Sequence, residues 1–368
     1  MNRYLVVTHS AAERDAVLWK AVLRDYPHVD LVIPVLKSRQ TDTSWITPFS
    51  SERRAFQLPA VEPVGRGHSS LWVAGLSRLL NSGRYSLLHA AMEPWSLIPQ
   101  AFVKRIPTVV QGAESIVNSA PFRLRLRRTG LKRVLKNLAG LSAWGQTSVD
   151  AFIQAGLPTS TPRAVIPMGV PDPTVFCRTA VPTIDAGLNL LYVGRLDPEK
   201  GVKTIIQALE VLPTGTQCHL KLLGTGPQEQ ELKTLGKNVA GVQIDFAGHA
   251  PVDELKTAIE WSHVVIVPSL RTDRWMEQWG RVPVEAIYSG RPCLVSDSGE
   301  LPLVSPVPTT VFRAGDSLDL ASRLSDLTTS LDHMKRVADA QYESALRFDA
   351  SLLAAKLNEL WDQSLQLR

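Results

Sequence analysis

Cysteine is scarce: Cys177, Cys218 and Cys293 are the only three in 368 residues, an odd number spaced too widely for a disulfide framework or a zinc site. They read as reduced core thiols. No run of about 18 apolar residues is present, so no segment reads as a membrane-crossing helix. The opening MNRYLVVT has too short an apolar stretch for a signal peptide and looks like a first buried strand, so we expect a cytoplasmic protein. Aromatic residues are few, 7%, and none interleaves with the basic residues of the most basic stretch, which argues against nucleic acid as a partner.

What is present describes an ordinary globular chain, 44% hydrophobic and 20% charged, long enough for two cores. The charge is unevenly divided. Residues 1–180 hold 22 Lys/Arg against 11 Asp/Glu, net +11, and residues 181–368 hold 18 against 24, net −6, together the overall +5. Residues 121–136 carry seven basic side chains and no acid, beside Leu131, Val134, Leu135 and Leu138. That spacing predicts a basic amphipathic helix, a solvated face in the plain reading and a peripheral contact with an anionic membrane face or a phosphorylated acceptor in the sharper one.

Short apolar runs alternate with helical patterns along the whole chain: Tyr4 to Val7, Val29 to Val35, Ser86 to Ala91, Thr108 to Val110, Leu188 to Val193, His219 to Leu223, Val242 to Phe246, Val264 to Val267 and Cys293 to Ser296. Such alternation predicts an α/β chain with parallel sheets covered on both faces. Residues 168–187, rich in Pro, Asp, Thr and Gly, read as a linker. Two doubly wound, Rossmann-like domains, about 1–180 and 187–340, are then expected to face each other across a cleft, with ligands at the carboxyl ends of their strands. The tail, about 340–368, reads as a helix that packs back on the first domain.

In LNLLYVGRLDPEKGVKTIIQALE a buried strand ends at Gly194, and Asp197 with Pro198 reads as the start of a helix. Arg195 and Lys200 then project beside its N-terminus, a seat for an anion with several oxygens such as a diphosphate. The plainer alternative pairs them with Asp197 and Glu199. Gly224 and Gly226 allow close backbone approach after the next strand, and His249 follows another strand end. After Val267 comes PSLRTDRWMEQWGRVPVEA, with Glu277 in a loop and Glu285 eight positions on, in a helix starting near Gly280. The amides of Gly280 and Arg281 suit an anion, and the two carboxylates suit vicinal diols. The plainer alternative satisfies both glutamates with Arg271, Arg274 and Arg281.

The stretches VGRLDPEKG, GTGP, FAGH, PS…EQWGRVPVEA and SDSGELP, in order over roughly residues 188–304, resemble the nucleotide-sugar-binding half of glycosyltransferase family 4, retaining enzymes with the GT-B fold. The resemblance implies that Arg195 and Lys200 hold the donor diphosphate and stabilise it as leaving group. It further implies that Glu285 takes the ribose hydroxyls, that Glu277 contacts the transferred sugar, and that Gly194, Gly224, Gly226, His249, Trp279, Gly280 and Arg281 line the donor site. The first half resembles the family through HAAMEPWSLIPQ, VVQGAESI and SAWGQTSVDAFIQAGLPTSTPRAVIPMGV. It departs where many members have a Gly-Gly loop, here His9-Ser10-Ala11-Ala12, and where many have a histidine near the reacting sugar, here Gln111. Glu93, Gln111 and Glu114 are the first-domain candidates for assisting catalysis.

The expected activity is retaining transfer of a hexose-type sugar from a nucleotide diphosphate sugar, UDP before GDP, to a hydroxyl acceptor. Fixed cations and helix amides serve the leaving diphosphate, no Asp-x-Asp triplet occurs, and no metal or other cofactor is expected. Two other readings share the motifs. A nucleotide-sugar epimerase would turn over donor alone, and a non-catalytic sugar-nucleotide-binding protein would bind without turnover.

Overall fold

The computed structural model describes residues 2–8, 16–36, 43–62, 71–114, 128–167, 169–185, 187–213, 215–237, 239–273 and 275–366. They form two compact units, 1–170 with 348–368, and 171–347. Each is built on one sheet, with the order β4-β3-β2-β1-β5-β6-β7-β8 in the first unit and β11-β10-β9-β12-β13-β14 in the second. No described helix is long and apolar enough to cross a membrane.

The first sheet comprises β1 (Tyr4–Thr8), β2 (Val29–Leu36), β3 (Ala55–Val61), β4 (Trp72–Val73), β5 (Leu87–Ala91), β6 (Thr108–Gly112), β7 (Gly140–Ala143) and β8 (Arg163–Val165). All neighbours pair parallel except β3 with β4. The central strands are buried on both faces, which is why YLVVT reads as an apolar run and LLHAA as one interrupted only by His89. β3 and β7 escape that pattern for different reasons. AFQLPAV contains a proline and alternates in burial near the sheet edge. GLSA has small residues because a helix lies close: a Cβ on Gly140 would sit 2.3 Å from Ser364 Oγ.

That helix, Ala350–Gln366, belongs to the first unit and packs on the helix Val17–Asp25 and on β7 and β8. Its Trp361 is fully buried and donates its indole N–H to His89 Nδ1 at 3.2 Å, while Tyr4 donates its hydroxyl to Asp362. The basic stretch is helical over Arg128–Asn137, and its residues 121–127 lie outside the described residues. Leu131, Val134, Leu135 and Leu138 are buried in a core cluster with Val110 and Phe152, leaving Lys132, Arg133 and Lys136 outward.

The second sheet is wholly parallel: β9 (Leu188–Val193), β10 (Cys218–Leu223), β11 (Val242–Gly248), β12 (Val264–Val267), β13 (Cys293–Ser296) and β14 (Val311–Phe312). Residues 171–185, read from composition as part of a linker, pack with this unit. The buried Arg291 guanidinium donates to Thr179 O and Oγ1 at 3.0 and 2.8 Å, and to Glu260 O at 2.9 Å.

Burial lowers the His89 pKa to about 3. Unfolded, the ring protonates near pH 6.5, so the unfolded chain binds more protons between those values and the first unit loses stability as pH falls through that window. Thermal unfolding of the wild-type chain between pH 7 and pH 5 is expected to show that loss, and a His89→Phe variant a shallower pH slope. Equal slopes would contradict the assignment.

Candidate active site

The chain order reverses between β9 and β12, which lie side by side although β10 and β11 intervene in sequence. The carboxyl ends of such a strand pair flank the crevice of a doubly wound sheet. β9 delivers Gly194–Lys200 there, and β12 delivers Pro268–Gly280. Lys200 Nζ lies 2.7 Å from Glu277 Oε2, which also accepts the Ser269 hydroxyl at 2.8 Å. The ammonium stands 4.7 Å from the centre of the Trp275 ring, a cation–π distance.

Two glycines make this meeting possible. Gly201 has φ +68°, and a Cβ there would stand 2.0 Å from Pro268 O at the end of β12. Gly299 has φ +58°, and its Cβ would stand 1.9 Å from Glu277 O. Backbone contact this close excludes any side chain. Three buried serines complete the support: Ser269 with its hydroxyl on Glu277, Ser296 donating to Ser269 O at 2.5 Å, and Ser298 donating to Leu270 O at 2.8 Å.

Several expectations are corrected here. Asp197 does not cap an α-helix: Pro198–Lys200 is a single 3-10 turn, Gly201 is left-handed, and the helix begins at Val202. The reason is the approach of Pro268 O, which requires the glycine before the helix. Arg195 does not join Lys200. Its side chain is 64% exposed and pairs with Asp197 and, at 3.5 Å, with Glu199. The close approach allowed by Gly224 and Gly226 is to the chain itself, since Cβ atoms there would strike the backbone of Gly194 and Leu196.

The helix Arg281–Tyr288 starts after Gly280, which caps it without a side-chain bond. Glu285 is 1% exposed on that helix, and Trp279 is buried at its entry. His249 is exposed just past β11, the edge strand two places from β9. Arg274 and the His9-Ser10-Ala11-Ala12 segment lie outside the described residues.

In the first unit the order reverses between β1 and β5, and Glu93 follows β5. Glu93 Oε1 accepts the Ala113 N–H at 2.8 Å, while Oε2 is out of solvent with no hydrogen-bond partner among the described residues. Desolvation pushes the carboxyl up to about 8, opposed by the Ala113 N–H, while the Glu114 charge raises it and the Glu114 backbone lowers it. Burial therefore biases this carboxyl toward its neutral form. Gln111 is 4% exposed at the end of β6, its Oε1 likewise lacking a partner among the described residues.

Sequence reasoning missed Ser269, Trp275 and Tyr192. Tyr192 was detectable as a phenol within a buried strand, which needs a polar partner; its hydroxyl donates to Arg195 O at 2.6 Å and shapes the Gly194–Arg195 turn. Trp275 and Ser269 gave no such signal, since only the fold brings them to Lys200.

Two doubly wound α/β domains are the layout of the GT-B fold, and solved structures share it. The crystal structure of Anabaena HepE in complex with UDP superposes with TM-score 0.72 at 17% identity, covering 98% of this chain and 99% of that one. The same protein solved with UDP-glucose gives 0.66 at 18%, covering 98% and 99%. Residues 184–329 match the family described as Glycosyl transferases group 1. An uncharacterized glycosyltransferase of Methanocaldococcus jannaschii is 30% identical over 126 residues, 34% of this chain and 31% of that protein. The alpha-D-kanosaminyltransferase of Streptomyces kanamyceticus is 28% identical over 144 residues, 37% and 36%. The matches span less than half the length of these curated relatives.

Gly299→Ala is expected to destabilise the second unit by roughly 1–3 kcal/mol, because the left-handed backbone and the Glu277 carbonyl must both give. Thermal unfolding reads this, and a variant as stable as wild type would contradict the packing.

Proposed function

We propose that the chain transfers a hexose-type sugar from a nucleotide diphosphate sugar, UDP before GDP, to a hydroxyl acceptor with retention at the anomeric carbon. The observation that carries it is the meeting of Lys200 and Glu277 at the switch point of a group 1 glycosyl transferase domain. The UDP and UDP-glucose complexes of HepE, and the kanosaminyl transfer named for a relative, support a sugar nucleotide as donor.

The C1–O bond to the diphosphate breaks as the acceptor oxygen bonds C1 from the same face, and the acceptor proton passes to the departing phosphate. Lys200, with Arg195 turned in from its surface pairs, stabilises the growing phosphate charge. These cations fill the part a metal ion plays elsewhere, so the transfer is proposed to be metal-independent. Glu277 accepts hydroxyls of the sugar and Glu285 those of the ribose. His249, Trp279, Gly280 and Arg281 line the donor site. Glu93, held protonated, donates a hydrogen bond instead of serving as a base, and Gln111 lies at the neighbouring strand end. Lys200→Ala is expected to lower turnover on the order of 10²- to 10³-fold, the scale of one lost oxyanion donor, and Glu277→Ala to lower it through lost contacts to the sugar hydroxyls. Release of nucleoside diphosphate from labelled UDP-glucose with an acceptor panel measures it, and wild-type rates in both variants would remove the basis of the mechanism.

Peripheral membrane contact is proposed to be ionic, because the apolar side chains Leu131, Val134 and Leu135 of the helix Arg128–Asn137 are consumed by the core while Lys132, Arg133 and Lys136 face outward. Sedimentation with phosphatidylserine vesicles is expected to show binding that raised salt abolishes. Salt-resistant binding would mean insertion and contradict this.

A further inference from the structure

Two anions claim one cation in this site. Glu277 Oε2 already lies 2.7 Å from Lys200 Nζ, with the two side chains only 14% and 20% exposed. In the proposed function, on which this competition depends, the donor diphosphate takes that same ammonium. Ser269 holds Oε2 in place through its hydroxyl at 2.8 Å. Trp275 touches the lysine independently of the carboxylate, and its position is fixed by a local turn. Its backbone N–H donates to Thr272 Oγ1 at 2.9 Å, and its carbonyl accepts the Thr272 N–H at 2.8 Å.

We propose that Glu277 is a built-in competitor for the donor phosphate at Lys200, and that Trp275 is the positioning residue that keeps the lysine in the site while carboxylate is exchanged for phosphate. A nucleoside diphosphate without its sugar must displace Glu277, leaving beside phosphate a carboxylate that has lost its ammonium and keeps the Ser269 hydroxyl. A sugar nucleotide displaces it too but supplies hydroxyls, and each O–H on the carboxylate restores a charge-assisted bond. The exchange therefore favours the loaded donor over the spent nucleotide. Product leaves as the carboxylate returns to the lysine. The face of Trp275 attracts the ammonium whichever anion it holds, so the lysine does not swing to solvent during the exchange.

Isothermal titration of the full chain with UDP, GDP and their glucose esters tests this. Glu277→Gln keeps the shape and the Ser269 bond but removes the charge. It is expected to bind the nucleoside diphosphate about fivefold tighter, the scale of a lost competing ion pair, without binding the sugar nucleotide tighter. Trp275→Ala is expected to weaken both ligands about threefold to tenfold and Trp275→Phe to restore them, the signature of an aromatic face. Should Glu277→Gln fail to fold, Ser269→Ala carries the same test: the diphosphate binds tighter if a held carboxylate competes. A diphosphate bound no tighter by the variant used overturns the competition, and wild-type affinities in Trp275→Ala overturn the positioning role. A wild-type chain that binds none of the four ligands overturns the donor reading itself, and the competition with it.

Discussion

The contact between Lys200 and Glu277 depends on backbone geometry more than on the charges that make it. The two residues come from segments far apart in sequence, after β9 and after β12, which become neighbours only because the chain reverses its direction of sheet growth between them. Closing the remaining distance takes Gly201 against Pro268 O and Gly299 against Glu277 O. With a Cβ at either place the loops must separate, and an ion pair at 2.7 Å does not survive an ångström of displacement with the same worth. The serines beneath contribute hydrogen bonds to carbonyls that have left the sheet ladder and would otherwise lie buried without partners.

Polar groups at the opposite ends of strands serve a different purpose. Asp30, wholly buried near the start of β2, accepts from Arg3 at 2.7 Å, Arg84 at 3.0 Å and Tyr85 at 2.7 Å. Burial, and then the bond to Asp30, raises the Tyr85 pKa. Every partner of that carboxylate is filled, as a structural charge requires. At the carboxyl ends the accounts are left open: Glu93 Oε2 and Gln111 Oε1 have no partner among the described residues. A buried polar atom without a partner at a strand's carboxyl end is a candidate contact for a ligand.

How legible this was in the sequence differs by element. Doubly buried strands such as VVIV and CLVS announce themselves, since both faces demand apolar residues. Gly-rich strand ends were equally visible, and the motifs over residues 188–304 follow from them. What stayed hidden was contact made by tertiary structure alone. The 3-10 turn before Gly201 resembles a helix start, because Asp-Pro satisfies the same local rule in both. The edge strand RAV and its counterpart AFQLPAV, one place in from the other edge, lack the two-sided burial that would have exposed them. Trp275, in a loop of arginines, carries no pattern, and only its distance from Lys200 gives it meaning.

Arg195 and Lys200 look alike in sequence and separate in the structure, for a reason that bears on chemistry. Arg195 has carboxylates two and four residues on, and a long guanidinium side chain at 64% exposure settles on them. Lys200 has its partner across the fold, in partial burial. Exposed pairs of the first kind are worth about 0–1 kcal/mol, so little resists Arg195 turning to a diphosphate that offers several charged oxygens. Lys200 is held from the outset. In the proposed function the arginine contributes charge on arrival, whereas the lysine defines where the phosphate arrives.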